Sequence, residues 1–155
     1  MLLDSDADVE RHHDEAETPL SLAASGHQAV VELLLDSGAD IGLVDTFGAT
    51  PLLHACRHGH MGIFNLLVSK GANMASAKKA GETALCVTCE AGHLSVVQAL
   101  LNMGADANAG DARERTPLMI AAWYGGEDIV LLFLEKGAQV NAEGEQGMTA
   151  LAFAV

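Results

Sequence analysis

The sequence predicts an all-α solenoid of helix-turn-helix units joined by hairpin-like finger loops, and two periodicities predict it. Threonine-led starts recur at Thr18, Thr50, Thr83, Thr116 and Thr149; the later ones fall 33 residues apart and the first pair 32. A second marker keeps the same beat at Gly38-Ala39-Asp40, Gly71-Ala72-Asn73, Gly104-Ala105-Asp106 and Gly137-Ala138-Gln139. A fixed period between about 20 and 50 residues marks a chain built by stacking one supersecondary unit.

Each element of the unit has a local cause. Thr18, Thr50 and Thr116 can cap a helix N-terminus through their hydroxyls. Pro19, Pro51 and Pro117 follow them, at the first helical position, where no amide donor is needed. Ala84 and Ala150 take that place in two other units and still permit a helix. The short first helix ends near Gly26, Gly59, Gly92 or Gly125. The second helix carries an apolar stripe: Val30, Val31, Leu34 and Leu35, then Ile63, Phe64, Leu67 and Val68. Val96, Val97, Leu100 and Leu101 follow, then Ile129, Val130, Phe133 and Leu134. Offsets of three and four place each set on one helical face. The glycine of Gly-Ala-Asp stops that helix by taking a left-handed conformation. The dozen or so residues up to the next threonine form the finger.

Thr-Pro-Leu, Gly-His and Gly-Ala-Asp at this period resemble the ankyrin repeat, over essentially the whole chain. The resulting division is the end of a truncated preceding repeat at 1–14, full repeats at 15–46, 47–79, 80–112 and 113–145, and a partial repeat at 146–155 holding a first helix only. Leu2-Leu3-Asp4-Ser5-Asp6-Ala7-Asp8-Val9 parallels Leu34-Leu35-Asp36-Ser37-Gly38-Ala39-Asp40-Ile41, with Asp6 in the glycine position. Solenoids need polar caps at their ends. Half a repeat at each end therefore predicts a fragment of a longer array. It also predicts exposed apolar surface at Leu151, Phe153 and Val155, prone to self-association.

Composition narrows the function. Half of the 155 residues are hydrophobic, but no run approaches the roughly 18 apolar residues of a spanning helix, so membrane insertion is not expected. Met1-Leu2-Leu3 is followed at once by Asp4, Asp6 and Asp8, unlike a signal peptide. Three cysteines form no even disulfide framework, and reduced thiols suit an intracellular protein. The net charge of −13 argues against a nucleic-acid partner. Its distribution is uneven. Residues 1–46 carry −10, residues 47–79 hold Arg57, Lys70, Lys78 and Lys79 with no acid, and residues 80–112 and 113–145 carry −4 and −3. An acidic end, a basic band and a second acidic stretch follow, for solubility or for steering a partner of complementary charge.

No chemical site is expected. His54, Cys56, His58 and His60 form an HxCxHxH run, and His54 and His58 share a helical face compatible with zinc. The run nevertheless fills ordinary first-helix slots, with Cys56 at an alanine-like position. Cys86-Val87-Thr88-Cys89 is a CxxC without the βαβ context of a redox motif. No phosphate loop or nucleophile elbow is present. The chain is read as non-catalytic, with no cofactor and no bound metal.

The resemblance implies a protein or peptide partner on the face lined by fingers and first helices. Mapped position by position, the variable finger sites are Thr46, Phe47 and Ala49, then Lys79, Ala80 and Glu82, then Ala112, Arg113 and Arg115. The variable first-helix ends are Arg57-His58, Glu90-Ala91 and Trp123-Tyr124. Trp123 and Tyr124 are the only Trp and Tyr in the chain, and these residue types, with Arg, dominate binding hot spots. They serve either as an exposed aromatic anchor beside Arg57 and His58, across Glu90, or as buried structural aromatics. A spacer or regulatory segment within a larger protein is the alternative function.

Overall fold

The computed structural model describes residues 17–154. The reading of residues 1–14 as part of a preceding repeat, and the placement of Val155, lie outside the described residues.

Four first helices begin at their threonines: α1 (Pro19–Ala24), α3 (Pro51–Arg57), α5 (Ala84–Ala91) and α7 (Pro117–Trp123). The Thr18 hydroxyl accepts the Ser21 amide at 3.0 Å, and Thr50 accepts that of Leu53 at 3.4 Å. Thr83 caps in the same way, taking the Cys86 amide at 3.4 Å, although alanine replaces proline after it. Thr116 takes the Met119 amide at 3.3 Å. Met119 Sδ in turn accepts from the Thr116 amide at 3.4 Å, where Glu or Gln usually completes a reciprocal cap. The second helices are α2 (Gln28–Asp36), α4 (Met61–Ser69), α6 (Leu94–Asn102) and α8 (Glu127–Glu135), and α9 (Ala150–Phe153) opens a fifth unit. Among the described residues there is no strand, only a single bridge between Ala77 and Thr83.

The second helices stop as the sequence requires. Gly71, for example, has φ +92°, a conformation in which any Cβ is strained. The residue two places on then makes a local turn: Asp40 Oδ1 accepts the Gly42 amide, Asn73 Oδ1 that of Ala75 and Asp106 Oδ1 that of Asn108. This accounts for the preference for Asp or Asn there.

Helices stack in two layers, α1-α3-α5-α7-α9 and α2-α4-α6-α8, with more extensive packing in the first layer than in the second. Small residues permit this: Ala24, Ala55, Cys56, Cys89 and Ala121 are buried in it. Phe64, Leu67, Val96, Val97, Leu100 and Phe133 fill the space between layers. The apolar stripe holds in α4 and α6, which have second-helix neighbours on both sides. In the outer helices it departs from expectation: Val30 and Leu134 are exposed, while Leu132 is buried. Each of these helices has a described second-helix neighbour on one side only. Leu151 is 75% exposed, whereas Phe153 is half-buried against Trp123.

Consecutive fingers are tied to one another. The Lys79 amide donates to the Phe47 carbonyl at 3.1 Å, Ala112 to Ala80 at 3.0 Å and Glu145 to Arg113 at 3.4 Å. One backbone bond per interface sets the finger spacing without forming a sheet.

Candidate partner-binding site

Two clefts open where fingers meet first helices. The first, about 470 Å³, lies between the fingers at Phe47 and Lys79 and is also lined by Arg57, His58 and Glu82. The second, about 300 Å³, is lined by Arg113, Arg115, Trp123 and Tyr124, over a floor that includes Met119, Met148 and Phe153. Nine of the ten residues singled out from sequence therefore fall into two groups. Glu90 lies between them and accepts a hydrogen bond from the Tyr124 hydroxyl at 3.2 Å.

A buried aspartate builds each of two fingers. Asp45 Oδ1 accepts the amides of Phe47 and Ala49, both at 2.8 Å. Asp111 Oδ1 accepts those of Arg113 and Arg115 at 2.9 and 3.0 Å. These bonds tighten the turns that present Phe47 and Arg113. The second carboxylate oxygen is used differently in each finger. Asp111 Oδ2 pairs with the Arg115 guanidinium at 2.6 Å, which raises the Arg115 pKa. Asp45 Oδ2 lies 2.9 Å from His54 Nε2. Burial raises the Asp45 pKa, but the Ala49 amide, His54 and the Phe47 amide outweigh it and hold the carboxyl below its ordinary value. Lys78 occupies the equivalent place in the intervening finger and reaches Glu82 at 3.0 Å. Asp45 and Asp111 recur two periods apart, the sequence signal for this role.

The aromatic pair points outward. Phe47, Trp123 and Tyr124 are 67%, 62% and 51% exposed. Trp123 meets Phe153 edge-on, with ring centroids 5.5 Å apart. This arrangement leaves both Trp123 and Tyr124 available at the mouth of the second cleft, and the buried alternative for them is removed. The basic band is weaker than its sequence: Lys70 pairs with Asp36 at 3.3 Å and Lys78 with Glu82. Arg57, Lys79 and Arg113 remain exposed on the finger and first-helix side.

The three cysteines, His60 and His93 have structural roles. Cys56, Cys86 and Cys89 are buried free thiols. Burial pushes the Cys56 thiol up to about 12 and raises the other two. The histidines of Gly-His tie repeats together: His60 Nε2 donates to the Ser25 carbonyl at 2.8 Å and His93 Nε2 to the Arg57 carbonyl at 3.0 Å. Asn108 also acts across repeats, its side-chain carbonyl accepting the Gln139 amide at 2.9 Å.

A profile of ankyrin repeats, comprising three copies, matches residues 1–78 and 73–144. The chain belongs to the ankyrin-repeat family. Ankyrin repeats are generally protein-interaction modules, and the family is typically non-catalytic. A segment of 42 residues is 50% identical to "Probable E3 ubiquitin-protein ligase XBOS33" of Oryza sativa subsp. japonica, covering 26% of this chain and 8% of that protein. The ankyrin chain thus matches only a small part of that relative. No described helix is long and apolar enough to cross a membrane.

Proposed function

We propose that this chain is a non-catalytic interaction module that takes a partner peptide or domain along its fingers and first helices. The observation that carries this reading is the outward placement of Trp123 and Tyr124 over a partly apolar cleft flanked by Arg113 and Arg115. Large amphipathic side chains held in place by neighbours give contact area at low entropic cost. Tyr124 is oriented by Glu90 and Trp123 by Phe153. Phe47, Arg57 and Lys79 extend the surface along the first cleft. The short likeness to the rice protein does not carry that protein's named activity to this chain.

A peptide-display selection against the immobilised chain tests the reading. Selected peptides should bind the Trp123→Ala/Tyr124→Ala double variant at least about ten-fold more weakly, a difference of about 1.4 kcal/mol, with its melting temperature unchanged. Equal binding by both proteins would remove the aromatic anchor. A selection that yields no binder would favour a spacer.

A further inference from the structure

The floor of the first cleft holds a group of side chains that peptide binding does not explain. Glu17, Asp45 and His54 each offer one ligand atom, and these atoms all lie within 4.8 Å of one another. They come from the start of the described chain, the first finger and α3.

His54 stands in a first-helix slot that carries Leu22, Val87 and Ile120 in the other units. Imidazole in such a slot needs a polar partner, and Asp45 Oδ2 supplies one at 2.9 Å. Asp45 and Asp111 both use Oδ1 for the finger turn, but Asp111 balances its charge with the Arg115 guanidinium. The residue equivalent to Arg115 in the Asp45 finger is Ala49, so no guanidinium stands there and His54 is the side chain paired with Asp45. Glu17 adds a second, half-buried carboxylate beside the first, with no hydrogen-bond or ion-pair partner among the described residues. Of the cleft's other cations, Lys78 is engaged by Glu82, and Arg57 and Lys79 are exposed. Two carboxylates and one imidazole therefore face a common point with an excess of negative charge.

We propose that Glu17, Asp45 and His54 bind a divalent transition-metal ion, with zinc the favoured occupant. One nitrogen and two oxygen donors suit zinc, at about 2.0–2.2 Å from the ion, and the imidazole disfavours magnesium and calcium. The 2.9 Å between His54 Nε2 and Asp45 Oδ2 opens by only a few tenths of an ångström to seat both on one ion. Glu17, before the first helix, closes the remaining distance. The cleft leaves the fourth position open to water. Of the HxCxHxH run only His54 takes part: Cys56 faces the core and His60 is committed to Ser25. An ion on Asp45 Oδ2 would also brace the turn that carries Phe47.

The test is calorimetric titration of the whole chain with zinc chloride, in a background of His12→Ala and His13→Ala. These substitutions remove two histidines outside the described residues. One ion per chain is expected, with a melting temperature that rises with free zinc. His54→Gln keeps a donor to Asp45 while removing the strongest ligand, and should weaken binding at least ten-fold. Glu17→Gln, at a partly exposed position, should weaken it several-fold. Circular dichroism confirms that each variant is folded. Absence of binding in the background protein, or unchanged affinity in either variant, would overturn the site.

Discussion

His93 Nε2 lies 3.0 Å from the carbonyl oxygen of Arg57 and ties the first helix of one repeat to the next repeat. Gly59 makes room for it: a Cβ there would come within 2.5 Å of the His93 ring. The fourth repeat has Gly126 in the histidine position, with φ −78° and ψ 71°, close to the −90° and 79° of His93. A Cβ at Gly126 meets nothing nearer than 3.6 Å. His93→Ala should cost about 1 kcal/mol, the net worth of one hydrogen bond. Gly126→His should return about 0.5–1 kcal/mol by reaching the Glu90 carbonyl. Urea unfolding midpoints check both, and a destabilised Gly126→His chain would contradict the transferability of this link.

Glu114 is left-handed, at φ 57°, in the finger position where Gly48 and Gly81 have φ 80° and 72°. An ordinary side chain is strained there. Glu114→Gly should stabilise the chain by about 0.5–1 kcal/mol, the relief of strain exceeding the added freedom of the unfolded chain. Equilibrium unfolding of the two proteins measures it, and equal stability would mean that Glu114 is compensated elsewhere.

His58 titrates below its ordinary value of 6.5, first through burial and then through the positive charges of His54, His60, Arg57 and His93. Its proton is held more weakly in the folded chain than in the unfolded one. The His58 contribution to stability therefore falls as pH drops from about 6.5 to the folded pKa and is level below it. An NMR titration should place the His58 midpoint below that of a free histidine. His58→Gln should lose less stability than the parent between neutral pH and pH about 5.

The three thiols should resist modification. Cys56, Cys86 and Cys89 are buried, and burial disfavours the thiolate that reacts. A thiol reagent at mildly alkaline pH should label none of them in the native chain and all three in urea. Rapid labelling of Cys56 without denaturant would show that the first-helix layer opens far more readily than its packing implies.

The repeat itself was legible because its signals are local. A threonine before a proline, a glycine after a helix and an apolar stripe at helical spacing each act within one or two turns of chain. Repetition made them unambiguous: the threonine start occurs five times, the glycine marker and the apolar stripe four times each and Thr-Pro three times. The finger-tip place of Phe47 followed from the same register, but Trp123 and Tyr124 stayed open between exposure and burial until packing decided for exposure. The outer helices departed from it at Val30 and Leu134, since burial there depends on a neighbour on each side.

The sequence by itself determined the unit and its helix caps, and its resemblance to the ankyrin repeat implied the side of the solenoid on which the variable residues sit. Only the tertiary structure decided which charges meet. The four bases of residues 47–79 look unopposed in sequence, yet Lys70 finds Asp36 across the second-helix layer and Lys78 finds Glu82 within its finger. Glu17, Asp45 and His54 converge from three segments, and no short motif joins them. Such encounters depend on how one repeat lies on the next. Inter-repeat stacking sets that geometry through the packed alanines, the cross-repeat histidines and the backbone bonds between fingers, while a single sequence specifies only what each repeat brings to it.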